Sequence, residues 1–98
     1  SQTPGAISYL SFAYVDSSVK SLQLNGFKAN AKNVATNDWP IWSYEHMYTK
    51  GKPTGLTKEF LDYMLSEDVQ NHIVTHMGYI STTDMKVTKT HDGKVMDK

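Results

Sequence analysis

Apolar and polar positions divide the chain into stretches of two different periods. The run "TPGAISYLSFAYVD" opens on a Pro-Gly turn signal and continues through Ile7, Tyr9, Leu10, Phe12, Tyr14 and Val15. Aromatic and β-branched residues at this density predict a strand, either a central one or one that turns near Phe12. "VKSLQLNG" places Val19, Leu22 and Leu24 ahead of an Asn25-Gly26 turn and predicts a second, short strand. "NAKNVATNDW" predicts a short helix capped by Asn30. Pro40 cannot donate to a sheet ladder, so residues 39–41 read as an edge, a strand start or a connector. A strand pattern follows from Tyr44 to Thr49, then the loop "KGKPTG".

From residue 55 the period changes to that of a helix. Leu56, Phe60 and Met64 recur every fourth residue with Leu61 and Leu65 beside them, behind a Thr54 cap; Lys58, Glu59 and Asp62 take the other face. Ser66 reads as a second cap, followed by Glu67 and Asp68 where negative charge suits the helix dipole. Val69, Ile73 and Met77 form a second stripe, and Gly78 is its stop. "YIST" reads as a short extended segment. The tail "TKTHDGKVMDK" is polar and expected to be loose, with room for a hairpin at Asp92-Gly93. No internal repeat is present.

Composition narrows the partners. The chain has 98 residues, the size of one small domain, with ten lysines and no arginine against ten acidic residues. A zero balance argues against nucleic acid as a partner. Without arginine there is no planar bidentate clamp for phosphate or carboxylate. Without cysteine there are no disulfides, thiolate metal sites or cysteine nucleophiles. The beginning of the chain has neither the charged nor the apolar region of a signal peptide and reads like the middle of a protein.

Candidate chemistry is sparse. His72 and His76 share a helical face with Asp68 one turn earlier, a spacing that can share a metal ion; the alternative is two solvent-facing imidazoles near a helix C-terminus. No HExxH motif supplies a general base, and there is no P-loop, G-x-G-x-x-G or G-x-S-x-G element. Glu45 and His46 would point to opposite faces of a strand and cannot form a dyad. "ISTTD", residues 80–84, offers hydroxyls that suit either an anion or neighbouring backbone groups. In the run "NDWPIWSYEHMYTKG", alternation places Trp42, Tyr44, His46 and Tyr48 on one face. Such a ring-bearing face calls for a partner surface.

Three of these stretches in this order, "TPGAISYLSFAYVD", "WPIWSYEHMYTKG" and "EFLDYMLSEDVQNHIVTHMGYIST", resemble the C-terminal third of the phosphate-binding proteins of phosphate ABC transporters, of the PstS type. The resemblance covers about residues 3–87 and is specific in combination. It points towards Gram-positive cocci, where such a protein is a lipoprotein on the outer face of the cell membrane. It implies an α/β chain, the C-terminal portion of a two-lobed periplasmic-binding-protein-like II fold, with about three to four short strands and three helices. Residues 1–42 would belong to the second lobe, 43–46 to a hinge crossing, 47–87 to the first lobe and 88–98 to a polar tail. The hinge residues implied are Ser43, Tyr44, Glu45 and His46, braced by Trp39, Pro40 and Trp42. The family's phosphate-contacting loops have no match here and are expected upstream, so no phosphate ligand is assigned. The expected partners of the intact protein are inorganic phosphate and ABC permease subunits; no cofactor, metal or catalysis is implied. On this reading the chain is a fragment, with exposed strand edges and helix faces that favour self-association. A binding protein for molybdate or sulfate, and an interaction module docking through the aromatic strand, remain alternatives.

Overall fold

A computed structural model describes residues 2–98. Three helical segments are present: α1 (Ala31–Ala35), α2 (Gly55–Met64) and α3 (Val69–Val74). A short 3-10 turn spans Phe12–Tyr14, and β1 (Val87–Lys89) pairs with β2 (Val95–Asp97) in an antiparallel hairpin. The chain is thus a small α/β unit with two strands among the described residues, not the three to four expected. All of β2 and all but the first residue of β1 lie in the tail, residues 88–98, that was expected to be loose. The hairpin itself was anticipated: Asp92 and Gly93 sit at its turn, where Gly93 adopts φ +87° and donates its N–H to the Thr90 carbonyl at 2.9 Å.

The strand-like runs stay extended but unpaired. Residues 6–11 form no ladder, and Ile7 and Tyr9 are 87% and 96% exposed. Residues 44–49 are likewise without a strand partner. A strand is defined by hydrogen bonds to a neighbour, and within these residues no neighbour is available. The Asn25-Gly26 turn does form: both residues take positive φ, and Leu24 and Phe27 exchange backbone hydrogen bonds of 3.0 and 2.9 Å across it.

The helices obey their local signals. The Asn30 side chain caps α1 by accepting from the Asn33 N–H at 2.9 Å. Thr54 sits at the N-cap of α2, although its side chain makes no capping hydrogen bond. Ser66 accepts the Gln70 N–H on its carbonyl at 3.0 Å and the Val69 N–H on its hydroxyl at 3.4 Å. α3 departs from expectation in its winding, since Val69–Val74 is a π-helix. Its wider turn breaks the four-residue stripe: Val69 is buried, while Ile73 and Met77 are largely exposed. Gly78 ends the run as expected, at φ +84°. A Cβ added there would lie 3.0 Å from the Ala13 Cβ, so the 3-10 turn is packed directly on this helix end.

One small core organises the fold. Val34 and Ala35 of α1 meet Met85 and Val87, and Phe12, Trp39, Trp42, Tyr44, Ile80 and Val95 pack around them. The Lys86 N–H donates to the Ala35 carbonyl at 2.9 Å, fixing the extended segment before β1 against α1. The remainder is open. The radius of gyration is 16.1 Å, against about 13 Å for a compact chain of this length. The accessible surface is 8194 Å², against about 5,700 Å² for a monomer of this mass. Much of the difference is apolar: Leu56 and Phe60 of α2 are 82% and 59% exposed. No helix among the described residues is long and apolar enough to cross a membrane.

Candidate functional site

The Trp-Pro-x-Trp run is irregular backbone held by a dense set of hydrogen bonds. The Trp39 N–H donates to the Asn33 carbonyl at 3.0 Å, carrying the chain directly off α1. The Trp39 indole donates to the Ile41 carbonyl at 3.1 Å, closing a tight loop around Pro40. The Trp42 indole donates to Asn37 Oδ1 at 2.8 Å, and Asn37 presents that oxygen from a left-handed backbone at φ +63°. Pro40 restricts φ, and both indoles have partners, so the segment has few alternatives.

The hairpin completes the arrangement. Lys89 Nζ donates to the carbonyls of Pro40 and Trp42, each at 2.9 Å, and lies 4.4 Å from the centroid of the Trp42 ring. Burial holds its ammonium below the usual lysine range. Two carbonyls and an indole face offset that desolvation. The Tyr44 hydroxyl donates to the Val87 carbonyl at 2.8 Å. Burial pushes this phenol above the ordinary tyrosine value. Trp42 and Tyr44 meet edge to face at 5.4 Å.

Of the four candidate hinge residues, Tyr44 alone reaches the core; Ser43, Glu45 and His46 are exposed. The ring-bearing face therefore splits. Trp42 and Tyr44 are covered by the hairpin, whereas His46 and Tyr48, with centroids 6.1 Å apart, project into solvent. The phenol of Tyr79, after α3, is raised above the ordinary tyrosine value, first by the neighbouring Tyr14 hydroxyl and last by the Glu45 charge.

The remaining candidates are distributed elsewhere. His72 Nδ1 lies 3.2 Å from Asp68 Oδ1 and 3.1 Å from the Asp68 carbonyl, both residues being exposed. No group of three His, Cys, Asp or Glu side chains among the described residues is placed to hold a metal ion. The hydroxyls of residues 81–83 are engaged by α3. Ser81, fully buried, donates to Asn71 Oδ1 at 3.1 Å; the Thr82 N–H and hydroxyl both donate to Gln70 Oε1, at 3.0 and 3.1 Å. Their partners are thus mainly helix side chains rather than local backbone. Sequence reasoning missed Lys89, Val87 and Met85. Their alternation, Met85-x-Val87-x-Lys89, was the available signal, because it puts all three on one face of an extended segment.

No family model matches the chain. Its similarity to known proteins falls in one class, the phosphate-binding proteins, and the resemblance read from the motifs is shown by those matches. Over 93 residues, 94% of this chain, it is 60% identical to the phosphate-binding protein PstS of Bacillus subtilis. Over 99 aligned positions covering 98% of this chain, it is 37% identical to the phosphate-binding protein PstS 2 of two strains of Streptococcus agalactiae. The higher identity is thus to a Bacillus protein, not to a coccal one. The matched region is a C-terminal part of the Bacillus protein. The chain spans 31% to 33% of the length of these relatives, about a third.

Proposed function

We propose that the chain is the C-terminal segment of an extracytoplasmic phosphate-binding protein that delivers inorganic phosphate to the permease subunits of an ABC importer. The identity of 60% to a phosphate-binding protein across 94% of the chain carries this reading. Such a protein performs no chemistry of its own. It would work outside the cytoplasm, lipid-anchored to the outer face of the membrane.

In the intact two-lobed protein these residues supply scaffold and hinge rather than anion ligands. Residues 1–42 belong to the second lobe, 43–46 to the crossing, 47–87 to the first lobe and 88–98 to the tail. The absence of arginine, and the engagement of the Ser81 and Thr82 hydroxyls by α3 side chains, support placing the phosphate ligands outside this chain. The open apolar faces of residues 6–11 and of α2 suit contact with sheet neighbours from the rest of such a protein.

The test is calorimetric titration with phosphate, sulfate and molybdate of this chain and of the full-length protein that carries it. Saturable phosphate binding by the full-length protein alone is expected. Specific binding by the isolated chain would overturn the placement of the ligands. Preference of the full-length protein for sulfate or molybdate would overturn the choice of solute.

A further inference from the structure

We infer that the C-terminal hairpin is a strap on the crossing segment, and that Lys89 is the positioning residue that pins it. Three observations converge on this. Lys89 Nζ donates to two carbonyls of one short stretch, Pro40 and Trp42, at 2.9 Å each, from a position 49 and 47 residues away in the chain. The same ammonium lies over the Trp42 ring at 4.4 Å. One residue pair further along, the Tyr44 hydroxyl closes on the Val87 carbonyl at 2.8 Å. The strap therefore grips residues 40, 42 and 44 in succession and stops there. Ser43, Glu45 and His46 are left in solvent.

The strap is itself secured. β1 and β2 pair in register from Val87↔Asp97 to Lys89↔Val95, and Val95 joins the core. The Lys98 N–H donates to the Lys86 carbonyl at 3.0 Å, and its side chain reaches the Thr82 carbonyl. Because carbonyls of an irregular segment have no ladder to satisfy them, an ammonium that takes two at once fixes their relative orientation. Residues before Tyr44 are then rigid, and bending is confined to residues 45 onward. That consequence for lobe closure rests on the phosphate-binding reading; the pinning does not.

The experiment compares K89M and K89R with the parent in the full-length protein that carries this chain. Methionine keeps the stem and removes the donors; arginine restores charge, donors and ring stacking. Without phosphate, K89M is expected to speed amide exchange by about tenfold at Trp42, whose N–H donates to the Pro40 carbonyl that Lys89 holds, with exchange in α2 unchanged. The Trp42 indole resonance should move in K89M and return in K89R. With phosphate, K89M is expected to change affinity by about threefold to tenfold through the open–closed balance. Unchanged exchange and an unmoved indole in K89M would overturn the strap. Faster exchange with unaltered phosphate affinity would overturn its role in closure. Faster exchange in a protein that binds no phosphate even as the parent would uphold the pin and sink the phosphate reading.

Discussion

Replacing Gly78 with alanine tests how the Phe12–Tyr14 turn is joined to the end of the helical run after α3. Gly78 has φ +84°, a region in which an L side chain is strained. Placing alanine there costs about 1–2 kcal/mol from the backbone alone. The new methyl would also lie 3.0 Å from the Ala13 Cβ and 3.2 Å from its Cα. Neither is the end of a flexible side chain, so relief requires the Phe12–Tyr14 turn to move, and overpacking of this kind costs about 1–3 kcal/mol. The combined expectation for Gly78→Ala is about 2–5 kcal/mol. Ala13→Gly removes the nearer of the two close approaches but leaves the backbone strain and the crowding against the main chain of residue 13. In that background the cost of Gly78→Ala should therefore fall by about 1 kcal/mol. The assay is urea denaturation of the full-length protein carrying each variant, with the slope checked for constancy. A cost of about 1–2 kcal/mol, no more than the backbone strain alone, would mean that the turn does not rest on the helix end. An equal cost in both backgrounds would mean that Ala13 is not what the methyl meets.

Other substitutions probe the seam from different sides. Tyr44→Phe leaves the ring against Trp42 but frees the Val87 carbonyl, so a loss of about 1 kcal/mol is expected in the same denaturation assay, and no loss would deny that hydrogen bond. Asn30→Ala removes the cap of α1 and should cost about 0.5–2 kcal/mol, a neutral result placing the helix start elsewhere. Acid should loosen the hairpin turn. A hydrogen bond from Thr90, followed by backbone contacts, holds Asp92 below the ordinary aspartate range, so its contribution is complete above about pH 4 and is lost as pH falls through the lowered value. Amide protection at Lys94 should follow that loss and lose its pH dependence in Asp92→Ala; an unchanged profile in the variant would assign the effect to another group. On the alkaline side no single sign is expected. The depressed Lys89 adds stability as pH rises towards the ordinary lysine value, while the raised Tyr44 subtracts it above about pH 10. The isolated chain, with its apolar faces uncovered, should associate as concentration rises in light scattering; a compact monomer throughout would refute that.

What the sequence disclosed was what short-range chemistry controls. Asn25-Gly26 turns because both residues tolerate positive φ, Asn30 caps because its side chain reaches Asn33, and Gly78 stops α3 because it can adopt φ +84°. The helix from 55 to 64 was legible because its apolar residues recur at helical spacing, a pattern that shows in the sequence whether or not the face is covered. Long-range pairing was not legible. Residues 6–11 have strand composition but no ladder, since a ladder depends on a partner strand and composition does not supply one. The π-winding of α3 was hidden because the spacing of Val69, Ile73 and Met77 is read on the assumption of an α turn. Of the candidate site, the restriction that Pro40 and the two indoles place on residues 39–42 was expected from their residue types, while Lys89, almost fifty residues on, was hidden in a tail whose polarity suggested looseness.

The contrast between the seam and the rest of the surface explains why function is best sought in the seam. Around Val34, Trp42, Tyr44 and Val87, indole and phenol donors have partners, and among the described residues no buried side-chain polar atom is left without one. Around Ile7, Tyr9, Tyr48 and Leu56, large apolar groups are left at 82% to 96% exposure. Surfaces of the second kind derive their conformation from whatever covers them, so their geometry in this chain says little about their own preferences. Polar bonds of the first kind are set by groups inside the chain, and they persist only where several contacts agree. At residues 40–44 a proline, two indoles, a phenol and an ammonium all constrain the same five positions. Immediately afterwards, from Glu45 to Tyr48, the side chains are exposed and no strand partner is present. A fixed segment that gives way abruptly to an unsupported one is the mechanical requirement for bending at one place rather than many. On the proposed two-lobed reading, the sharpness of that change, more than the identity of any one residue, puts bending after Tyr44, in the Glu45–His46 half of the 43–46 crossing.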